Sequence, residues 1–448
     1  MTPLTSGRSA LVPLSVMMFL QFFLWGAWFV TLGPFMASRG MGGTEMGTWI
    51  GNAYSTAPIA AIIAPFFLGI AVDRFFASQR VMGLLHVLGG ALLALAPWAA
   101  TQNPEKPVLF FVVLLAHMLC YMPTLGLSNT VAFNCMSYPE KQFPVVRVWG
   151  TIGWIVAGLL VGFVAKQLIG DVVPAAASTP EAVKAASEAA KAATEQARNA
   201  SPHFFYIAGG SGVLLGLFSF FLPHTPPPAK GKPMSIGSII GIDSLKLLRD
   251  RSFAVFALCS LLICIPLAAY YSLAGVYVGA VGYGDVPTKM TFGQMSEIIF
   301  MVVMPFFFAR LGVKWMLAVG MLAWVLRYAL FAFAWGETGP VDDLKWFVLA
   351  GIILHGICYD FFFVTGQVYV ERVAGPDIRG QAQGFLVLLT QGVGMLIGNQ
   401  VIGRLKDHYT VAGVTDWRSV WQVPAAFALV ILIIFVLLFR AAPSDRKE

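Results

Sequence analysis

Apolar residues run along this chain in blocks of about twenty, separated by short clusters of Gly, Pro and charged residues. Blocks of that length predict helices that cross a bilayer, since strands of a membrane barrel would alternate over about ten residues. The predicted spans lie near Leu14–Met36, Trp49–Val72, Val81–Ala100, Val108–Phe133, Phe143–Leu168 and Phe204–Leu222, then Phe253–Val281, Phe292–Ala309, Val313–Trp335, Leu344–Val370, Gly380–Leu405 and Trp417–Phe439. The expected fold is an all-α membrane protein of twelve transmembrane helices in two six-helix, pseudo-symmetric bundles. Residues 1–223 form the first bundle, 224–252 a cytoplasmic inter-bundle loop, and 253–448 the second bundle.

Two similarities support the halving. Pro65-Phe66-Phe67-Leu68-Gly69 and Pro305-Phe306-Phe307-Phe308-Ala309 precede matching short loops, and Arg147 and Arg379 open equivalent fifth spans. Parallel six-span repeats place a cavity between them, with solute near the midplane. Residues 174–201, rich in Ala with Glu and Lys at helical spacing, predict a short external helix inserted between spans five and six. It reads as a solvated addition without a part in transport. The run Leu14–Met36 exceeds a signal-peptide core and reads as a retained first span.

Composition agrees with burial in lipid. Hydrophobic residues make up 58% and charged residues 11%, and mean hydropathy is +0.76. The net charge of +7 is spread over short loops without an aromatic-interleaved basic face, so it indicates orientation and not a nucleic-acid partner. With both termini in the cytoplasm, the inner loops collect Arg8, Arg74, Arg80, Lys230, Arg249 and Arg251 among others, as the positive-inside rule requires. The five cysteines show neither CxxC nor Cys/His spacing, so no disulfide framework, metal site or cofactor is expected.

Charges inside such spans cost roughly 2.5–3.5 kcal/mol each on insertion scales, so they mark candidate function. Asp360 is the first, in a helix that also carries His355, Tyr359, Gln367 and Glu371. At 100° per residue, Asp360, Gln367 and Glu371 share a stripe, with His355 and Tyr359 on a neighbouring face. Glu297 is the second, three residues from Gln294. Burial favours the neutral form of a carboxylate and a nearby cation favours the charged form, which suits a group that exchanges a proton. Arg327 either neutralises one of these acids or serves as a structural counter-ion. In the first half Arg147 and Thr151 share a face beside Trp154, offering a donor fork and a hydroxyl next to an aromatic plane. Gln21, Trp25, Trp28 and Thr31 recur along span one as a second candidate lining, or as plain packing.

Gly69-Ile-Ala-Val-Asp73-Arg74 resembles the Gly-x-x-x-Asp-Arg loop of the major facilitator superfamily. There Asp and Arg support contacts that change during alternating access. The chain more widely resembles the nucleoside:proton symporters of that superfamily. The resemblance rests on Phe19-Leu-Gln21-Phe-Phe-Leu-Trp25-Gly-Ala-Trp28, Arg147-Val-Trp-Gly-Thr151-Ile-Gly, Gln294-Met-Ser-Glu297, Arg327-Tyr-Ala-Leu-Phe, Tyr359-Asp360-Phe-Phe and Thr415-Asp-Trp417. It implies the major facilitator fold and binding positions at Arg147, Thr151, Gln294, Glu297, Tyr359 and Asp360, with His355 where the family often has tyrosine. Span seven departs from the family's amide side chains, presenting Ala268 and Tyr271.

The expected function is a monomeric, proton-coupled importer of nucleosides or closely related solutes, in the lipid bilayer of a bacterial cytoplasmic membrane. Its solute site comprises Arg147, Thr151, Trp154, Gln294, Glu297, His355, Tyr359, Asp360, Gln21 and Tyr271, with Asp360 and Glu297 carrying the proton and Gly69, Asp73 and Arg74 forming the conformational loop. The rival readings are a sugar or amphipathic-solute transporter of the same superfamily, or a membrane receptor that does not transport. No nucleophile elbow, phosphate loop or metal cluster points to an enzyme.

Overall fold

A computed structural model describes residues 8–67, 75–227, 242–375 and 378–440. Gly69, Asp73 and Arg74, and residues 228–241 of the inter-bundle segment, lie outside the described residues. Spans one to six are Leu11–Ser38, Met46–Phe67, Ser78–Ala99, Val108–Cys135, Pro139–Leu168 and His203–Ser219. Span seven is Arg251–Ala280, and Val286–Phe333 holds spans eight and nine. Gly312 separates those two at φ 64°, a left-handed conformation that glycine adopts without a Cβ penalty. Spans ten to twelve are Asp342–Val373, Arg379–His408 and Trp417–Leu438. The described residues thus contain the twelve expected spans, and their strands amount to one hairpin, Thr410–Val411 with Val414–Thr415.

Caps set several boundaries. The Asp250 carboxylate accepts from the amide of Phe253 at 2.8 Å to open span seven, and Asp416 accepts from Ser419 at 3.2 Å to open span twelve. Helices are drawn close by small residues, because lipid tails supply no hydrophobic drive between spans and association depends on contact. A Cβ at Gly90 of span three would stand 2.6 Å from the carbonyl oxygen of Gly209 in span six, so only glycine admits that approach.

The helical phase of span ten differs from the sequence expectation. Residues Tyr359–Val364 form a π-helical turn, which winds more residues per turn and rotates everything that follows. Asp360 is consequently buried while Gln367 and Glu371 emerge at the surface, where Glu371 pairs with Arg379 at 2.9 Å. The single stripe through all three acidic and amide positions does not exist. A second π-helical turn, Leu388–Gly394, interrupts span eleven.

The inserted segment does form a helix, Pro180–Ala200, capped by the Thr179 hydroxyl, which accepts from the amide of Ala182 at 3.2 Å. It is not merely solvated. Glu195 accepts from the amide of Asp285 at 2.9 Å and from Arg198 at 3.0 Å, so a first-half insertion grips the start of span eight. Lys166, at the end of span five, pairs with the same Asp285 at 2.6 Å. Arg39 donates to the carbonyl of Ala200 at 2.9 Å and ties the insertion to span one.

Further bonds join the halves at this end. The amides of Gly47 and Thr48, which start span two, donate to the two carboxylate oxygens of Asp407 in span eleven at 2.6 and 2.7 Å. Gln400 donates to Asn52 and Ser55, each at 2.9 Å. These hydrogen bonds between the halves lie together at the insertion end. Gly51 permits the contact, since a Cβ there would collide with the carbonyl oxygen of Asn399.

Asp407→Ala removes a cross-half helix cap, at a cost of about 1 kcal/mol. That is roughly a fivefold shift in a two-state equilibrium. The expected outcome is several-fold faster labelling of a cysteine placed at Met122, by an impermeant maleimide added on the insertion side. Unchanged labelling would show that the seal does not depend on this cap.

Candidate functional site

Between the halves lies a cavity of about 520 Å³, within the ~300–1,000 Å³ usual for small-molecule sites. The first half contributes Phe22, Trp25 and Phe29 from span one, Tyr54 from span two, and Arg147, Thr151 and Trp154 from span five. The second half contributes Tyr271 from span seven, Gln294 and Glu297 from span eight, His355 and Tyr359 from span ten and Gln391 from span eleven. Ala61, Ala64, Pro65, Gly126 and Asn129 continue the lining away from the sealed end.

Aromatic rings form one side of the chamber. Trp25 meets Trp154 edge to face at 5.5 Å between centroids, and Phe29 stands 6.4 Å from Trp154 and 5.8 Å from Tyr271. Such pairs hold each other in fixed planes. Gly26 makes room for Trp154, because a Cβ there would lie 2.9 Å from the indole. The helix of span one is interrupted between Trp28 and Leu32, and Tyr54 braces the break by donating to the carbonyl of Phe29 at 2.7 Å and accepting from the amide of Gly33 at 3.3 Å.

The polar groups are arranged for recognition of both donors and acceptors. Arg147 lies over the Phe22 ring at 4.1 Å, one helical turn from Thr151. Gln294 is buried with its carbonyl oxygen unpaired, and the indole N–H of Trp25 also lacks a partner. Glu297 Oε1 lies 3.0 Å from His355 Nε2. Behind it, Arg327 donates to His355 Nδ1 at 3.1 Å and stacks its guanidinium over Tyr270 at 4.1 Å. Tyr270 in turn stacks on His355 at 4.8 Å. Arg327 makes no direct ion pair with either acid. Among the described residues no carboxylate stands within ion-pair distance of it.

The cavity brings together Arg147, Thr151, Trp154, Tyr271, Gln294, Glu297, His355 and Tyr359. Two expected residues stand outside its lining. Asp360 follows Tyr359 but is fully buried, with both carboxylate oxygens unpaired. Gln21 is also fully buried: its amide donates to Thr124 at 2.8 Å and its carbonyl oxygen meets His86 Nε2 at 2.8 Å. The side chain turns into the first bundle because partners of both kinds await it there. Trp28 likewise packs inward against His117. Of the span-one stripe only Trp25 reaches the cavity.

Phe29 and Gln391 were not anticipated. Gln391 had a legible signal, an amide in an apolar run, whereas one Phe among the 36 of this chain has none.

Residues 9–178 and 183–444 match the family described as Nucleoside H+ symporter. The chain is 38% identical over 440 residues to the putative nucleoside transporter YegT of Escherichia coli, covering 96% of this chain and 94% of that one. It is 30% identical over 442 residues to the nucleoside permease NupG of Escherichia coli, covering 95% of each. The crystal structure of nucleoside transporter NupG superposes with a TM-score of 0.78 at 29% identity, over 97% of this chain and 100% of that one.

Gln21→Leu leaves the buried His86 donor unpaired and takes from Thr124 the bond it accepts, its own bond to the Tyr121 carbonyl remaining, a loss of about 1–3 kcal/mol. A fall of several degrees in the unfolding midpoint of the detergent-solubilised protein is expected, with ligand affinity unchanged. Weaker binding at unaltered stability would instead place Gln21 in the site.

Proposed function

The chain belongs to the nucleoside H+ symporter family, the proton-coupled nucleoside importers, and from that premise we propose how its own residues carry the solute and the proton. It is a multi-pass transporter of the major facilitator fold and not an enzyme. Neither the sugar reading nor the receptor reading is favoured by that membership.

The observation that carries the assignment is the composition of the two facing walls. Trp25, Phe29, Trp154 and Tyr271 offer flat apolar faces to a base, and Arg147, Thr151, Gln294 and Glu297 offer donors and acceptors to its polar edges and to a hydroxylated sugar. Tyr359 and His355 close the second-half side. No bond is made or broken in the solute. Rocking of the two bundles about the fixed site, linked through residues 224–252, exposes it alternately. Gly69, Asp73 and Arg74, outside the described residues, are assigned on their motif alone to the contacts that change during alternating access.

The excess of basic residues in the loops on one side supports a reading with both termini in the cytoplasm of a bacterial inner-membrane protein. The insertion end is then external, and its cross-half bonds describe a carrier closed outside, with its cavity running towards the cytoplasm. The chain works as a monomer, since each carries a complete cavity.

Two acids serve the coupling. Glu297 lines the cavity within reach of a solute, and Asp360, next in the chain after Tyr359, is buried with neither a cation nor a donor paired to it among the described residues. A carboxylate so placed is compensated most simply by a proton taken up in place. Solute and proton thereby share the same few residues.

Radiolabelled uridine or adenosine should accumulate in proteoliposomes under an inwardly directed proton gradient. Accumulation indifferent to the gradient would remove the coupling. Glu297→Gln and Asp360→Asn are each expected to lower gradient-driven accumulation more than tenfold, about 1.4 kcal/mol or more of lost coupling, and counterflow by less. Full accumulation in Asp360→Asn would leave Glu297 as the proton carrier.

A further inference from the structure

The chain Arg327, His355, Glu297 runs from span nine through span ten to span eight, and its order settles a protonation question. A guanidinium carries five N–H donors and accepts nothing. The 3.1 Å bond between Arg327 Nη2 and His355 Nδ1 therefore requires Nδ1 to accept, which leaves it without a hydrogen. The single hydrogen of the neutral ring then lies on Nε2, pointing along the 3.0 Å contact to Glu297 Oε1. An imidazolium would need a hydrogen on Nδ1, aimed at a guanidinium nitrogen that has no lone pair to accept it. His355 is otherwise enclosed by Tyr270 and Tyr271 of span seven and by Tyr359 of its own span, rings 4.8, 6.1 and 6.0 Å away.

We propose that Arg327 is a positioning residue for coupling: it locks His355 in the neutral Nε2–H form, so that the histidine holds Glu297 by a neutral hydrogen bond and never competes with it for the proton. The inference rests on the coupling role given above to Glu297. Its physical content is the difference between two donors. An imidazolium beside Glu297 would form a charge-assisted pair, roughly twice as strong as a neutral bond, and would keep the carboxylate charged when the carrier must reload it. A neutral N–H orients the carboxylate without fixing its charge. Arg327 lines no part of the cavity and makes no ion pair with a carboxylate among the described residues; its guanidinium rests on the Tyr270 ring and donates to the Nδ1 lone pair.

The pairing makes distinct demands on substitutions at both positions. In His355→Gln one amide can accept from Arg327 through its oxygen and donate to Glu297 through its nitrogen, as the locked ring does. His355→Phe can do neither. Arg327→Met leaves Nδ1 free to take a hydrogen.

The direct test is 15N NMR of the protein labelled at histidine in nanodiscs, with the signal of His355 among the six histidines assigned by its loss in His355→Gln. The expected spectrum shows Nδ1 unprotonated and Nε2 protonated from pH 8 down to pH 5 in the wild type. In Arg327→Met both nitrogens should become protonated within that range. Gradient-driven nucleoside accumulation in the same variants gives the functional arm. Arg327→Met should acquire an acid-side loss of at least tenfold that the wild type lacks, and His355→Gln should accumulate at least ten times more than His355→Phe. A wild-type ring protonated on Nδ1, or an Arg327→Met profile superimposable on the wild type, would overturn the proposal. Failure of the wild type itself to accumulate nucleoside would overturn the coupling reading instead, and the NMR arm would still report on the lock.

Discussion

A charge placed in hydrocarbon must find its compensation inside the protein, and that constraint shapes the centre of this molecule. Glu297 finds it in an imidazole, the imidazole is held by a guanidinium, and the guanidinium rests on an aromatic face. These four groups come from four spans of one bundle, so the acid cannot be positioned without assembling that bundle. Asp360 finds no such partner. The contrast divides two carboxylates that both serve the proton into one held in the cavity lining by a hydrogen bond and one buried beside it without a partner among the described residues.

The first bundle supplies the complementary half of the site by different means. Its aromatic wall stands on neutral polar bonds: Gln21 with His86 and Thr124, and Tyr54 with the interrupted end of span one. These lie behind the rings and keep Trp25 and Phe29 facing the void. A solute bridging the walls would join a bundle ordered by charge to one ordered by aromatic packing. At the insertion end the bundles meet through backbone amides, carboxylates and glycine, contacts that part without stranding apolar surface in water. Glu195 and Lys166 add a clasp that lies outside the twelve-span frame.

The span pattern was legible because bilayer thickness imposes a length on every apolar run, and the described helices lie where hydropathy put the twelve spans. Eight of the ten expected solute-site residues line the cavity, since polar groups in apolar runs are few and each needs a reason. The errors share a cause. Extrapolating 100° per residue through span ten ignored a π-helical turn that no local composition announces, so Gln367 and Glu371 were wrongly aligned with Asp360. Gln21 was misplaced because the helical wheel gives its angle but not the His86 and Thr124 side chains that claim it from other spans. The grip of Glu195 on Asp285 was hidden for the same reason, being a contact across 90 residues of chain.

The central claim is that nucleoside and proton occupy this cavity together. Calorimetric titration of the purified protein with uridine or adenosine, in buffers of different ionisation enthalpy, measures the protons exchanged on binding. The account predicts net proton uptake at a pH where the unliganded carrier is deprotonated, and its disappearance in Glu297→Gln. Nucleoside binding whose heat is independent of the buffer at every pH would contradict it.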